Sequence, residues 1–196
     1  MASIELVSAS FRELTVRATD LPAEANMIRW YIGLTEDDMP YQGYCSIAME
    51  DWPAWTFTGL SPGTTYLVKI SVRDADQNVI GSAVTRSFST VGRPAKWSWE
   101  STVAAGKAIN MTAAEFNRFI DHVYDVMEYV DISDSSVPSD HYVTKGARMK
   151  ASDAKDIREI IAGMDPPLGV PAAVSSGDTI TAAFFNGLKD SLNSIE

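Results

Sequence analysis

The chain has a single cysteine, Cys45, among 196 residues, so no internal disulfide can form and stability must come from packing. No run approaches the roughly 20 apolar residues that a membrane-crossing helix needs. The opening MASIELVSASFREL has no basic start followed by an apolar stretch, so a secretion signal is not expected. Basic residues are scarce: 16 Lys and Arg stand against 26 Asp and Glu, giving a formal charge of −10 and a pI near 4.6. A field of that sign repels phosphate backbones and anionic lipid, which argues against nucleic acid and membrane as partners. There are only two histidines, His122 and His141, and neither has metal-ligand spacing. No phosphate loop and no GxGxxG occur. Without a nucleophile, a base and an orienting group in recognisable order, the expectation is a protein that is no enzyme and uses no cofactor or metal.

What is present describes a folded chain. It is 45% hydrophobic and 21% charged, and its length suits two domains, each with its own core. From Ile4 to Thr90, short alternating apolar segments are broken by turn residues, the pattern of an all-β unit. The spacing predicts seven strands, near residues 3–10, 12–19, 26–34, 43–49, 54–59, 64–74 and 79–90. In NMIRWYIGL, Ile28, Trp30 and Ile32 alternate with Met27, Arg29 and Tyr31. Cys45, in the strand-like YCSIAM, reads as a small apolar residue.

The stretch LSPGTTYLVKISV places a Pro62–Gly63 turn before Tyr66, Val68, Ile70 and Val72, which share one face. With Leu60, Pro62, Gly63 and Tyr66 in this arrangement, residues 1–91 resemble the fibronectin type III family. The resemblance implies an immunoglobulin-like β-sandwich in which the tyrosine hydroxyl closes a corner against the preceding loop. One departure is Ala18, near the place where that family usually has a core tryptophan, so Trp30 or Trp55 is expected to fill the volume. The resemblance implies a spacer or recognition module and no chemistry.

Gly92 and Pro94 in STVGRPAKWSWES mark a boundary, with a linker over 92–102 that Trp97 and Trp99 are expected to pin to the second domain. Over 103–196 the chain repeats itself. MTAAEFN at 111–117 returns as ITAAFFN at 180–186, and VTKGARMKASDAKDIREIIAGM from Val143 aligns without gaps on VSSGDTITAAFFNGLKDSLNSI from Val174. A third copy starts at Val103. The common unit is a glycine turn (Gly106, Gly146, Gly177), an Ile or Met plug, then a helix. Thr112 and Thr181 are expected as N-caps, with Glu115 completing a capping box and Ser152 capping the middle helix. Phe116, Phe119, Ile120, Val123, Met127 and Val130 form one helical stripe, as do Phe185, Leu188, Leu192 and Ile195. Asn117 and Asn186, in register, are expected to be partly buried and to bond their own glycine loops. The expected class is therefore two domains, a β-sandwich at 1–91 and a small, mainly α domain of repeated glycine-turn and helix units at 103–196.

The glycine-and-helix pattern, ending in GDTITAAFFNGL, resembles repeats of bacteriophage tail-fibre, baseplate and other virion proteins. That resemblance implies a non-enzymatic structural part of a virus particle, made in the host cytoplasm and acting in assembly or host attachment. The expected partners are other virion proteins or further copies of itself as a homotrimer, together with a host-surface glycan. The alternative is a bacterial surface adhesin or carbohydrate-binding module. The binding residues expected are Tyr41, Tyr44, Trp52 and Trp55 in MPYQGYCSIAMEDWPAW, since exposed aromatics stack on sugars and anchor interfaces. Trp52, between Asp51 and Pro53, is expected to be the most exposed. DADQN at 74–78 starts like a calcium loop but has Val79 where the glycine of position 6 belongs, and it reads as a hairpin turn.

Overall fold

A computed structural model describes residues 1–101, 111–132, 142–146 and 150–196. The chain divides into two compact units, Met1–Gly92 and Arg93–Glu196, each with its own core.

In the first unit, period-2 alternation becomes two antiparallel sheets. Strands β1 (Ser3–Ala9), β2 (Leu14–Thr19) and β5 (Ala54–Phe57) make a three-stranded sheet in the order β1-β2-β5. Strands β3 (Met27–Gly33), β4 (Tyr41–Ser46), β6 (Thr65–Arg73) and β7 (Val84–Ser89) make the other, in the order β4-β3-β6-β7. Leu14, Val16 and Ala18 from one sheet meet Ile28, Trp30, Ile32, Val68, Ile70 and Val72 from the other in a single buried cluster. Trp30 is fully buried and stands edge to face on Phe57 of the opposite sheet at 6.3 Å. Strand β7 begins later than expected, because the turn closed by Asp74 on the Asn78 amide runs on through Gly81, at φ +66°.

The corner before β6 is closed by side chains. The Ser61 amide donates to the Tyr66 hydroxyl at 2.9 Å, and the buried Thr90 hydroxyl donates to the Ser61 carbonyl at 2.8 Å. Gly63, at φ +60°, lets the chain turn there, and its amide donates to Val91 O. Tyr66→Phe keeps the ring and removes the acceptor from an exposed bond. It should cost about 1 kcal/mol in urea denaturation; no loss would mean that the hydroxyl does not hold the corner.

The second unit corrects the expected class. A helical repeat domain is not evident: the chain is mostly β-sheet in its first part, and the rest has only three short helices among the described residues. They are α1 (Ala113–Tyr129), α2 (Ala151–Gly163) and α3 (Ala182–Ser194). The aligned segments are not physically equivalent. Helix α1 has 17 residues and the others 13. Thr112 and Thr181 cap α1 and α3 through their hydroxyls, whereas α2 starts at Lys150, whose backbone amide is held by Asp153 rather than by Ser152. Asn117 grips a neighbouring segment, while Lys155, aligned with Asn186, is exposed and paired with Glu159. Similar letters occupy different surroundings, so they do not make a repeat. Gly106 and the first glycine turn lie outside the described residues.

One apolar cluster nevertheless unites the helices. Phe116, Phe119, Phe185, Leu188 and Leu192 are buried in it, and Trp97 and Trp99 pack against it. The stretch assigned to a linker therefore belongs, from Arg93 on, to the second unit. Its backbone is clipped by Asn193, which accepts from the Trp97 amide at 2.7 Å and donates to the Trp97 carbonyl at 2.8 Å. Asn117 does the same to Val143, at 2.8 and 3.1 Å, and so bonds the head of the following segment. Asn186 is half-buried. An amide side chain suits this task, having one donor and one acceptor side by side.

Candidate functional site

The four aromatic residues expected to bind together are split by the sheet. Tyr41 and Tyr44 are 51% and 43% exposed on β4. Trp52 and Trp55 are half-buried and packed against the sandwich core, so the expectation for Trp52 is corrected. The cause is strand alternation plus a close approach. Trp55 sits opposite Val16 on β5 and reaches under β4, where a Cβ on Gly43 would come within 2.4 Å of its ring. Only glycine leaves that space open.

Tyr41 and Tyr44 instead join residues from β3 and β6. Register sets Tyr44 opposite Arg29 and Tyr41 opposite Tyr31, with a bulge between Trp30 and Tyr31, while Lys69 lies opposite Tyr31 on its other side. Because Ile28, Trp30, Cys45, Val68 and Ile70 face the core, this alternate set faces outward. The Tyr31 and Tyr41 rings meet edge to face at 5.7 Å. The Lys69 ammonium lies 4.8 Å from the Tyr31 ring centre, and the Arg29 guanidinium 6.0 Å from that of Tyr41. Tyr31, Arg29 and Lys69 were missed as site residues, although the alternation of NMIRWYIGL already placed Arg29 and Tyr31 on the face away from Trp30.

The residues considered for chemistry are engaged structurally. The Trp30 indole N–H donates to Cys45 Sγ at 3.1 Å; burial pushes the thiol's pKa up, so it stays protonated and unreactive. A cavity of about 340 Å³ opens beside it, between Thr15, Asp51 and Trp55. His122 is half-buried against Trp97 at 5.5 Å, and burial lowers its pKa. His141 lies outside the described residues. Glu115, expected to complete a capping box, turns to the 100–101 backbone and accepts from the Glu100 and Ser101 amides at 2.6 and 3.0 Å and from the Ser101 hydroxyl.

A cavity of about 1170 Å³ in the second unit lies at the N-terminal ends of all three helices, with Met111, Phe116, Val143, Ala151, Ile180 and Phe185 in its walls. Gly146 and Gly177, at φ +85° and +94°, turn the chain at its rim. Its polar rim includes Thr112, which caps α1, and Asp178, which accepts from the Ser175 amide at 2.7 Å. Among the described residues no three of His, Cys, Asp and Glu converge to hold a metal ion, and no helix is long and apolar enough to cross a membrane. No protein-family model matches the chain, and no curated protein matches it in sequence.

Proposed function

We propose that this protein is a non-enzymatic structural component of a bacteriophage particle, in which the β-sheet unit is a fibronectin type III-like recognition module and the helix-containing unit is an assembly module. The observation that carries the reading is the outward tyrosine face of the first unit, whose alternate residues pack its core: its aromatic surface is available to a partner. Two further features support it. The Ser61–Tyr66 corner is the one that the fibronectin type III resemblance implies. The twice-written Thr-Ala-Ala-x-Phe-Asn stretch, on which the resemblance to virion proteins partly rests, starts a helix capped by its threonine at both places, Thr112 and Thr181. Attachment proteins of this kind work as symmetric oligomers, and a homotrimer is the proposed state.

The test is mass spectrometry of gradient-purified particles from a phage that encodes the chain, together with light scattering of the isolated protein. A fixed number of copies per particle and a threefold mass are expected. Absence from the particles would reject the virion assignment. The tyrosine face also favours the second reading, a bacterial surface carbohydrate-binding module, which places the chain in the cell-envelope fraction instead.

A further inference from the structure

Two cations are kept where the rest of the chain would lead one to expect acids. Across the molecule Asp and Glu outnumber Lys and Arg by 26 to 16. Yet Arg29 and Lys69 stand diagonally beside each other on the outer face of the four-stranded sheet, and neither makes an ion pair among the described residues. Their partners are aromatic rings: Lys69 sits over Tyr31 and Arg29 near Tyr41. A cation held on a ring keeps N–H groups free to point outward, and in turn it fixes the ring. The edge-to-face contact of Tyr31 with Tyr41 adds a second constraint, so the platform is largely ordered before any ligand arrives. Glu36, Asp37 and Asp38, in the turn between β3 and β4, bound it at the Tyr41 end.

The geometry also selects among ligands. The backbone N–H and C=O groups of β3 are used on both sides, by β4 and by β6, so a peptide strand has a place to pair only along the outer edge of β4 and not across the face that carries the rings. What the face offers is flat rings, phenolic hydroxyls and unpaired positive charge. Rings match the C–H faces of pyranose sugars, hydroxyls match sugar hydroxyls, and the cations match carboxylates. We propose that the outer face of β3, β4 and β6 binds an acidic polysaccharide, with sugar rings on Tyr31, Tyr41 and Tyr44 and a sugar carboxylate against Arg29 and Lys69. This names the ligand class of the recognition module proposed above and rests on that part of the reading, not on the particle assignment.

The experiment is affinity electrophoresis of the full chain at low ionic strength through gels holding polygalacturonate or polysialic acid, with two controls. Methyl-esterified polygalacturonate keeps the rings and removes the charge; poly-L-glutamate keeps the charge and removes the rings. Retardation by an acidic polysaccharide, and far less by either control, is expected. Tyr41→Ala with Tyr44→Ala should weaken binding about tenfold or more, and Lys69→Gln should weaken it and flatten its salt dependence. Both tyrosines are about half exposed, so the variants should retain the wild-type circular dichroism. The proposal is overturned if neither polysaccharide retards the chain, if poly-L-glutamate does so equally, if the variants migrate like wild type, or if the tyrosines prove to mediate self-association in sedimentation. Particles that contain a chain blind to acidic sugars would reject this inference alone. A chain that binds them but is absent from particles would reject only the virion assignment.

Discussion

Replacing Glu115 with alanine should weaken the second unit by about 2–4 kcal/mol while the first unit's unfolding stays where it is. Only 2% of the residue is exposed, and its carboxylate takes hydrogen bonds from two backbone amides and a hydroxyl at 100–101. Truncation takes the shared acceptor from all three donors, on the same segment that carries Trp97 and Trp99 onto the core. Glu115→Gln, which keeps one acceptor oxygen but brings an N–H₂ toward the donors, should cost about 1–2 kcal/mol. The exposed Arg118–Glu100 pair nearby, at 2.8 Å, should add little. Hydrogen exchange read peptide by peptide would separate the units, with faster exchange confined to residues after Arg93. Unchanged exchange at 93–101 in the alanine variant would show that Glu115 does not hold the segment.

The same carboxylate gives the unit a pH dependence of known sign. Burial pushes its pKa up, but the Ser101 hydroxyl, the Ser101 and Glu100 amides and the Arg118 charge together pull it below the ordinary glutamate value. A group depressed in the folded state contributes its stability above the unfolded value, about 4.3, and loses it as pH falls through the folded one. Acid should therefore loosen the second unit below about pH 4. Glu115→Gln should remove this part of the dependence.

Much of the first unit could be read from its letters because burial there follows period 2 so strongly. Ile28, Trp30 and Ile32, then Val68, Ile70 and Val72, alternate without a break, and each is buried. The second unit resisted the same treatment. Aligning Asn117, Lys155 and Asn186 assumes equal surroundings, but the contacts of Asn117 with Val143 and of Glu115 with residues 100–101 depend on segments that no local pattern brings together. Neighbours in sequence also misled at the site. Trp52 and Trp55 lie close to Tyr44 along the chain, yet β5 belongs to the other sheet and turns Trp55 inward. The residues that do adjoin the tyrosines come from β3 and β6, through pairings that only the folded sheet supplies.

Trp30→Ala should be the most damaging change in the first unit, at about 3–5 kcal/mol. The side chain is fully buried, contacts Phe57 of the opposite sheet edge to face and donates its N–H to Cys45 Sγ. Removing so large a side chain from the middle of the buried cluster should leave a cavity, which adds to the cost. A loss of that size is a large share of the stability that a domain normally has. Cys45 makes the effect measurable within this unit alone, because it is the chain's single thiol and is 2% exposed. In the native protein it should react with a disulfide reagent only when the unit opens. At 1.4 kcal/mol per tenfold change, a loss of about 3 kcal/mol raises the open population, and so the labelling rate, by roughly a hundredfold. Trp30→Phe should fall between, since it keeps a ring against Phe57 and gives up the bond to sulfur. If Trp30→Ala were labelled no faster than the wild-type chain, the two sheets would not be held together through this tryptophan, and the core of the first unit would have to be centred elsewhere.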